Sequence, residues 1–172
     1  RNLSYINQVL AGISMKDNLT GLYNRLGYHD LAYPLYRDVT GRGGKLAIVF
    51  IDMDRLKHIN DTFGHSVGDQ AIKSVAAVIL RYLPEGAIPV RYGGDEFLLL
   101  MPAEDEKDVR KLLDSISSAL PDEAKKLGVP DVVSISSGFV LTDPDDRKSL
   151  DDYVLEADDL MYDEKKKKKG KG

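Results

Sequence analysis

Acidic residues follow or adjoin two apolar segments of this chain. Asp52 comes directly after the apolar run 46–51, and Asp95 and Glu96 adjoin the paired glycines of segment 91–97. An apolar run needs no acid at its end for packing, whereas a bound divalent cation does. Hard metals such as Mg²⁺ prefer oxygen ligands and commonly bridge carboxylates to substrate phosphates. The pattern therefore predicts a metal-dependent phosphate site.

Length and composition predict one globular domain. The chain has 172 residues, of which 42% are hydrophobic and 30% charged, enough for a sizeable core. No apolar run approaches the roughly 20 residues that cross a bilayer, and no secretory signal is recognisable. We therefore expect a cytoplasmic domain without membrane contact, either on its own or as the cytoplasmic part of a larger sensor protein. The absence of cysteine excludes disulfides and thiolate metal sites.

The formal net charge of −4 conceals an acidic body. Segment 165–172 contributes six lysines and no acid, so the remainder has 18 basic against 28 acidic residues, a net charge of −10. An acidic body disfavours general binding to nucleic acid, which usually needs a basic face, so we expect no nucleic-acid partner. Metal ions could still neutralise a bound nucleotide. The lysine-rich segment 166–172 is predicted to be a solvated, frayed terminus.

The first sixteen residues are interpreted as the end of an upstream linker or signalling helix. Apolar residues recur there at heptad a and d positions, namely Leu3, Ile6, Leu10 and Ile13. Two heptads do not distinguish a coiled coil from a terminal helix packed on its own domain. The chain begins at Arg1 rather than methionine, which suggests a fragment of something longer or a processed chain. The domain itself is assigned to residues 17–165.

Hydrophobic periodicity predicts an α+β fold. Strands are predicted at 45–51, 88–92, 97–101 and 132–142, and helices at 22–39, 56–63, 71–83, 109–120 and from a capping box at Ser149 and Asp152 onward. The unbroken apolar run of the first strand predicts burial on both faces. Gly93 and Gly94 predict a hairpin, because glycines tolerate positive φ, and Pro34 could kink the first helix. The order predicts a ferredoxin-like central antiparallel sheet flanked by helices.

Four motifs occur in a fixed order along the chain. They are Asp17-Asn18-Leu19-Thr20-Gly21-Leu22-Tyr23-Asn24-Arg25, then Asp52-Met53-Asp54 with Lys57, Asn60 and Asp61, then Gly64-His65 with Gly68-Asp69, and finally Arg91 to Phe97. From Asp17 on, the chain resembles the GGDEF domain, the catalytic module of diguanylate cyclases, and ordered motifs are more specific than any one alone. The resemblance implies a fold similar to nucleotidyl cyclase and polymerase palm domains.

The resemblance also implies an activity. Enzymes of this family condense two GTP molecules into cyclic di-GMP and two pyrophosphates, each 3′-hydroxyl attacking the other nucleotide's α-phosphate. Two Mg²⁺ or Mn²⁺ ions per site would be held by Asp52, the Met53 carbonyl and Asp95. For Glu96 two roles stay open, activation of the hydroxyl or metal binding on one hand and support of the hairpin on the other. Asp54 is expected beside the ligands rather than among them.

Further residues are implied to bind substrate. Asn60 and Asp69 would read guanine, since an amide and a carboxylate match its Watson–Crick edge. Without the family, Asn60 is typical of a helix end and Asp69 of an N-cap. Lys57 would contact phosphate, or else be a solvated helix lysine, and His65 would line the pocket, although a lone histidine is more often structural.

The phosphate contacts are expected to extend beyond these residues. Loop amides near Arg55 and Leu56 would help to cradle the triphosphate. Arg55 departs from the aromatic or apolar residues usual there and could alter the pocket rim. Lys165 stands where the family often has a phosphate-binding lysine, but Lys168-Lys169 replaces the glycine-arginine ending that usually follows.

The product-binding motif of many family members is absent. Counting back from Gly93, Pro84 and Ala87 stand where that site would have arginine and aspartate. Neither supplies a bidentate guanidinium or a carboxylate acceptor. The sequence therefore predicts little product inhibition there, with control instead through the pairing of two domains by an upstream sensor or coiled coil.

Two other function classes were weighed against a cyclase. A catalytically silent module that binds GTP or a partner protein would typically have lost Asp52, Asp95 or Glu96, and all three are present. A polymerase-like domain would share two-metal chemistry but would need a basic template groove, which the acidic body does not favour. The sequence thus favours an active cyclase that works as a homodimer of domains on GTP.

Overall fold

A computed structural model describes residues 3, 4, 6 and 14–171 of the chain. From residue 25 on, the elements are α1 (Arg25–Gly41), β1 (Leu46–Met53), α2 (Leu56–Phe63), α3 (His65–Tyr82), β2 (Ile88–Arg91), β3 (Glu96–Pro102), α4 (Glu106–Lys126), β4 (Ile135–Leu141) and α5 (Leu150–Lys171). Leu3 and Ile6 are helical and 76% and 52% exposed. Leu10 and Ile13, the other positions of the predicted heptad pattern, lie outside the described residues.

The four strands form one antiparallel sheet in the order β2-β3-β1-β4. The strand β1 is central, paired with β3 on one side and with β4 on the other. Helices separate β1 from β2 and β3 from β4, while β2 and β3 form a hairpin. This arrangement confirms the predicted ferredoxin-like α+β fold.

The side chains of β1 enter two separate cores. Ala47, Val49 and Ile51 pack in the core formed with α3 and α4. Leu46, Ile48 and Phe50, which alternate with them along the strand, pack in the core formed with α1 and α5. Every residue from 46 to 51 is at most 2% exposed. The alternation follows from the two-residue period of a strand, and it confirms the predicted burial on both faces.

Several element boundaries differ from the predicted ones because of local chemistry. The helix α1 begins after Asn24, whose side chain accepts a hydrogen bond from the Gly27 amide, and Pro34 lies inside this helix without dividing it. The helix α3 begins six residues earlier than predicted, directly after Gly64, which has a φ of 94°. The strand β4 begins only at Ile135, because Val132 is 71% exposed and outside the pairing with β1.

The hairpin glycines serve a purpose other than the predicted one. Gly93 and Gly94 do not have positive φ. A Cβ on Gly93 would lie 2.3 Å from Glu96 Oε1, so the absence of a side chain there leaves room for that carboxylate. The hairpin prediction is thus confirmed, while its stated backbone reason is wrong.

Residues 166–171 of the lysine-rich segment form the end of α5 rather than a frayed terminus, while residues 166–170 are exposed, in keeping with the predicted solvation. The predicted capping box is confirmed: Asp152 N donates to Ser149 Oγ, and Ser149 N donates to Asp152 Oδ2, both at 3.1 Å. The helix then lies directly on β4, because a Cβ on Gly138 would stand 2.2 Å from Met161 N.

In the described part of the chain, no helix combines the length and apolarity needed to span a bilayer.

Candidate active site

The site forms where β1 ends between its two neighbouring strands. Asp52 is paired with Glu96 on β3 and with Ser136 on β4. Met53 N donates a hydrogen bond of 2.9 Å to the Asp95 carbonyl, which fixes the end of the hairpin loop against the end of β1. The structure therefore brings Asp95 beside Asp52, as the hairpin pattern predicted.

A lysine ammonium lies between two of the predicted metal-binding oxygens. Lys165 Nζ is 2.9 Å from Asp52 Oδ2 and donates a 3.0 Å hydrogen bond to the Met53 carbonyl. Both charged side chains are largely enclosed, with 19% of Lys165 and 13% of Asp52 exposed. The ammonium reaches this position because Asp52 has the same strand parity as Ile48 and Phe50, whose face of the sheet is covered by α5.

The second oxygen of Asp52 is buried without a hydrogen bond. Among the described residues, Asp52 Oδ1 has no hydrogen-bond partner. Burial raises the pKa of Asp52 to about 6, with Lys165 opposing the shift and the Asp95 carboxylate adding to it. An unpartnered carboxylate oxygen beside a second acid is costly unless a cation compensates both charges.

The oxygen atoms of Asp52, Asp95 and the Met53 carbonyl are chemically suited to bind a divalent cation. Two carboxylates and a backbone carbonyl are oxygen ligands of the kind that Mg²⁺ and Mn²⁺ accept. The Lys165 ammonium already places one positive charge on two of these oxygens. Within residues 14–171, no three acidic, histidine or cysteine side chains form a metal cluster by themselves. The predicted set, with only two carboxylates, does not require such a cluster.

Asp54 is saturated by protein donors. Its carboxylate accepts hydrogen bonds from Ser136 Oγ at 2.6 Å, Ser134 Oγ at 2.8 Å and Lys168 Nζ at 3.0 Å. Burial alone would raise the pKa of Asp54, but these hydrogen bonds outweigh it and leave the pKa below its ordinary value. The carboxylate therefore joins the end of β1 to β4 and α5, and its place beside metal ligands rather than among them stays a prediction.

Glu96 begins β3 and is half-buried, with its carboxylate folded against Gly93. Burial raises the pKa of Glu96, and the nearby Asp95 and Asp158 carboxylates raise it further. This environment suits a carboxyl group that exchanges a proton, and the contact with Gly93 also suits hairpin support. Both roles considered for Glu96 therefore stay open.

Two arginines hold the hairpin loop in place. Arg91 contacts both oxygens of Asp17 at 3.2 Å and donates a 2.9 Å hydrogen bond to the Gly94 carbonyl. Arg25 donates a 2.8 Å hydrogen bond to the Tyr92 carbonyl, and its guanidinium lies 4.1 Å from the centre of the Tyr92 ring. The first and last sequence motifs are therefore parts of one loop support.

The predicted guanine-reading residues meet at the corner between α2 and α3. Asn60 lies inside α2, and a Cβ on Gly68 would stand 1.7 Å from Asn60 Oδ1, so only glycine allows this contact. Asp69 follows Gly68 in the chain and is an exposed residue of the second turn of α3, so it is not the N-cap of that helix. The structure thus places an amide and a carboxylate on adjoining helices.

The predicted phosphate loop has an unusual backbone. Arg55 caps α2 with a φ of 59°, a conformation uncommon for residues other than glycine, and its side chain is exposed. Leu56 is half-buried against the core formed with α3 and α4, whereas Lys57 in the first turn of α2 is exposed. His65 is exposed at the start of α3, next to the same corner.

The segment at the predicted missing product site is a turn between α3 and β2. Ala87 N donates a 3.3 Å hydrogen bond to the Pro84 carbonyl, and Gly86 has a φ of 85°. Pro84 is exposed, and Ala87 packs against the core formed with α3 and α4. The turn presents neither an arginine nor an aspartate at these two positions.

Lys168, Ser134 and Ser136 were not among the predicted site residues. The spacing of Lys165 and Lys168 was a usable signal, because residues three apart on a helix share a face. Ser136 lies on β4 and Ser134 directly precedes that strand, and residues two apart in an extended chain point to the same side. What was missing was the position of β4 beside β1, which brings the serines to Asp54.

Comparison with known proteins gives consistent relatives. The chain is 34% identical over 164 residues to diguanylate cyclase DgcP of Escherichia coli K12, covering 94% of this chain and 48% of that protein. It is 29% identical over 172 residues to diguanylate cyclase VdcA of Vibrio cholerae, covering 95% and 48%. The chain therefore spans about half the length of these curated relatives.

A solved structure has a similar fold. The crystal structure of the coiled coil and GGDEF domain of DgcB from Caulobacter crescentus, in complex with c-di-GMP, superposes with a TM-score of 0.81 at 27% identity, covering 96% of this chain and 87% of that one. The family model "Diguanylate cyclase, GGDEF domain" matches residues 14–171. With the four motifs, the fold and this match in agreement, the chain belongs to the GGDEF domain family of diguanylate cyclases.

Proposed function

We propose that this domain is an active diguanylate cyclase that condenses two GTP molecules into cyclic di-GMP with release of two pyrophosphates. The observation that carries the proposal is the meeting of Asp52, the Met53 carbonyl and Asp95 at the end of β1, beside a cationic ammonium. Relatives named diguanylate cyclases support the same activity.

The metal-binding part of the proposal concerns Mg²⁺ or Mn²⁺, two per site. Asp52, the Met53 carbonyl and Asp95 would hold these ions, and the unpartnered Asp52 Oδ1 would be compensated. When bound, such ions offset phosphate charge and lower the pKa of the attacking hydroxyl. Asp54 keeps its three protein donors, so it would orient the end of β1 rather than bind metal.

The chain's own residues would bind and orient the nucleotide. Asn60 and Asp69 would hydrogen-bond the guanine edge, whereas a bound adenine would cover them and leave them unpaired, which costs about 1–3 kcal/mol per group so covered. Lys57 and the backbone amides at the start of α2 would face the phosphates, where a helix N-terminus favours negative charge. His65 and Arg55 would lie at the rim of the same pocket.

Glu96 would supply the proton chemistry of the site. Burial and the neighbouring Asp95 carboxylate raise the pKa of Glu96, which makes this carboxylate a better proton acceptor than an ordinary glutamate, as a base for the 3′-hydroxyl requires. Support of the hairpin by its contact with Gly93 is compatible with this role. The proton would pass from the hydroxyl to the carboxylate as the new phosphodiester bond forms and pyrophosphate leaves.

Two domains would be required for turnover, because each bound GTP supplies the hydroxyl that attacks the other. An upstream sensor or coiled coil would raise the local concentration of paired domains. The DgcB structure, which includes a coiled coil, supports this arrangement. A cytoplasmic location for the domain is part of the same proposal.

The proposal is tested by identifying the product. The 172-residue chain, fused to a parallel dimerising helix, would be incubated with GTP and Mg²⁺, and the product identified by mass. Cyclic di-GMP from the wild type and none from Asp95→Asn would support an active cyclase. Binding of GTP without product would instead identify a catalytically silent GTP-binding module, and incorporation into a polynucleotide would identify a polymerase-like domain.

A further inference from the structure

Two lysines of α5 contact the two acids at the end of β1 in different ways. Lys168 contacts Asp54, whose carboxylate is also bonded by two serine hydroxyls. Lys165 contacts Asp52, which keeps one buried oxygen without a partner in the described structure. The Lys168 contact therefore completes the hydrogen bonds of the Asp54 carboxylate, whereas the Lys165 contact leaves one oxygen of Asp52 without a hydrogen bond from the described residues.

We propose that Lys165 is an exchangeable counter-cation: its ammonium holds Asp52 Oδ2 and the Met53 carbonyl until a divalent cation takes the same two oxygens. This inference rests on the proposed function, because it takes those oxygens as metal ligands. Lys165 would thereby compete directly with the metal, in addition to any later contact with phosphate.

The competition follows from distance and charge. The ammonium is 2.9 Å from Asp52 Oδ2 and 3.0 Å from the Met53 carbonyl oxygen. A divalent cation binds oxygen at about 2.0–2.6 Å, so both cations on the same pair of oxygens would be close together and would repel each other strongly. Binding of the metal therefore requires Lys165 to leave.

The helix itself need not move for this exchange. It is held by Lys168 on Asp54 and by the close approach of its backbone to Gly138. The lysine stem has four flexible carbons, so the ammonium alone could turn away. After it leaves, a triphosphate bound to the metal would be the nearest compensating anion, and metal and nucleotide would favour each other's binding through this one residue.

The test measures binding of Mn²⁺ to the 172-residue chain without nucleotide, from the electron paramagnetic resonance signal of free Mn²⁺. Lys165→Met should bind Mn²⁺ roughly fivefold or more tightly than the wild type, the lower range of typical coupling between two sites. Lys168→Met is the matched control, since it removes the same charge from the same helix face. It should change the affinity less than about twofold, because Lys168 contacts Asp54 and neither of the two oxygens that the metal would take from Lys165.

Three outcomes would overturn the exchange. Unchanged or weaker Mn²⁺ binding by Lys165→Met would show that the ammonium does not compete. An equal gain in both variants would show a general effect of charge. The variant Asp52→Asn distinguishes failure of the exchange from failure of the proposed function. If Asp52→Asn leaves the Mn²⁺ affinity unchanged, the assignment of Asp52 as a metal ligand fails as well. If Mn²⁺ binding depends on Asp52 but does not change in Lys165→Met, only the exchange is overturned. Circular dichroism checks folding, and Lys165→Gln replaces a variant that does not fold.

Discussion

Asp52 and Asp54 are two acids on one face of the same strand end, each contacted by a lysine of α5. Asp54 is surrounded by two hydroxyls and an ammonium, and its pKa is lowered. Asp52 has one ammonium and, among the described residues, one buried oxygen without a hydrogen-bond partner, and burial raises its pKa to about 6. The same side chain is thus fully hydrogen-bonded by protein at one position and incompletely paired two residues away.

The difference between the two acids lies in their hydrogen-bond donors. Residue type, position at the end of β1 and contact with a lysine are shared, so none of them distinguishes the two environments. What differs is the facing residue on β4: Ser136 pairs with Asp52 by register yet donates its hydroxyl to Asp54. A carboxylate without enough donors is the better candidate for binding an ion.

The largest expected effect is that of Asp52→Asn on activity. Loss of the charge should reduce cyclic di-GMP formation by roughly a hundredfold or more, as removal of a preorganised electrostatic group commonly does. The free energy of unfolding should be unchanged or increased, because burial already disfavours the charged form of Asp52 in the folded protein. Product formation by the dimerised chain and urea unfolding measure the two quantities. Wild-type activity in this variant would contradict the assignment.

Asp54→Asn should show the opposite division of effects. Its carboxylate accepts three hydrogen bonds, so the substitution should lower the free energy of unfolding by about 1.5–3 kcal/mol, the range for hydrogen bonds to charged groups. The affinity for Mn²⁺ should change less than in Asp52→Asn. Urea unfolding measures the loss of stability. The variant Ser134→Ala, which removes only one of the three hydrogen bonds, is the partial control. A variant as stable as the wild type would contradict the structural role.

The comparison extends to the two groups expected to read guanine. Alanine at Asn60 or Asp69 should weaken binding of a non-hydrolysable GTP analogue by about 1–3 kcal/mol, because the base would lose a polar partner. Calorimetry measures the affinity, and exposed Asp61 on α2 provides the matched control as Asp61→Ala. Equal affinities in all three variants would place the base elsewhere.

The smallest expected effect is product inhibition through the turn at Pro84 and Ala87. This turn offers no guanidinium or carboxylate at those positions, so added cyclic di-GMP should leave initial rates unchanged apart from competition with GTP. Rates would be followed with the dimerising helix attached, which keeps the assembly constant. Tight inhibition that does not compete with GTP would reveal another product site and contradict the prediction.

Much of the fold followed from pattern. The run from Leu46 to Ile51 predicted a strand buried on both faces, the glycine pair predicted the hairpin, and the Ser149 capping box predicted the start of α5. The prediction for the lysine segment was right about solvation, since residues 166–170 are exposed, but residues 166–171 are helical rather than frayed. Lys168 in this segment and Lys165 just before it have acidic partners that charge counting along the chain does not reveal.

The sequence by itself determined the acids, their strand parity and the order of the elements, because these depend on residue type and local period. Parity places Asp52 and Asp54 on one face but does not say which helix covers that face. The tertiary structure decided that α5 lies there, that Ser136 on β4 and Ser134 just before it reach Asp54, and that Lys165 and Lys168 each meet a different acid. Those contacts join residues 80 or more positions apart, and it is packing, not spacing, that brings them together.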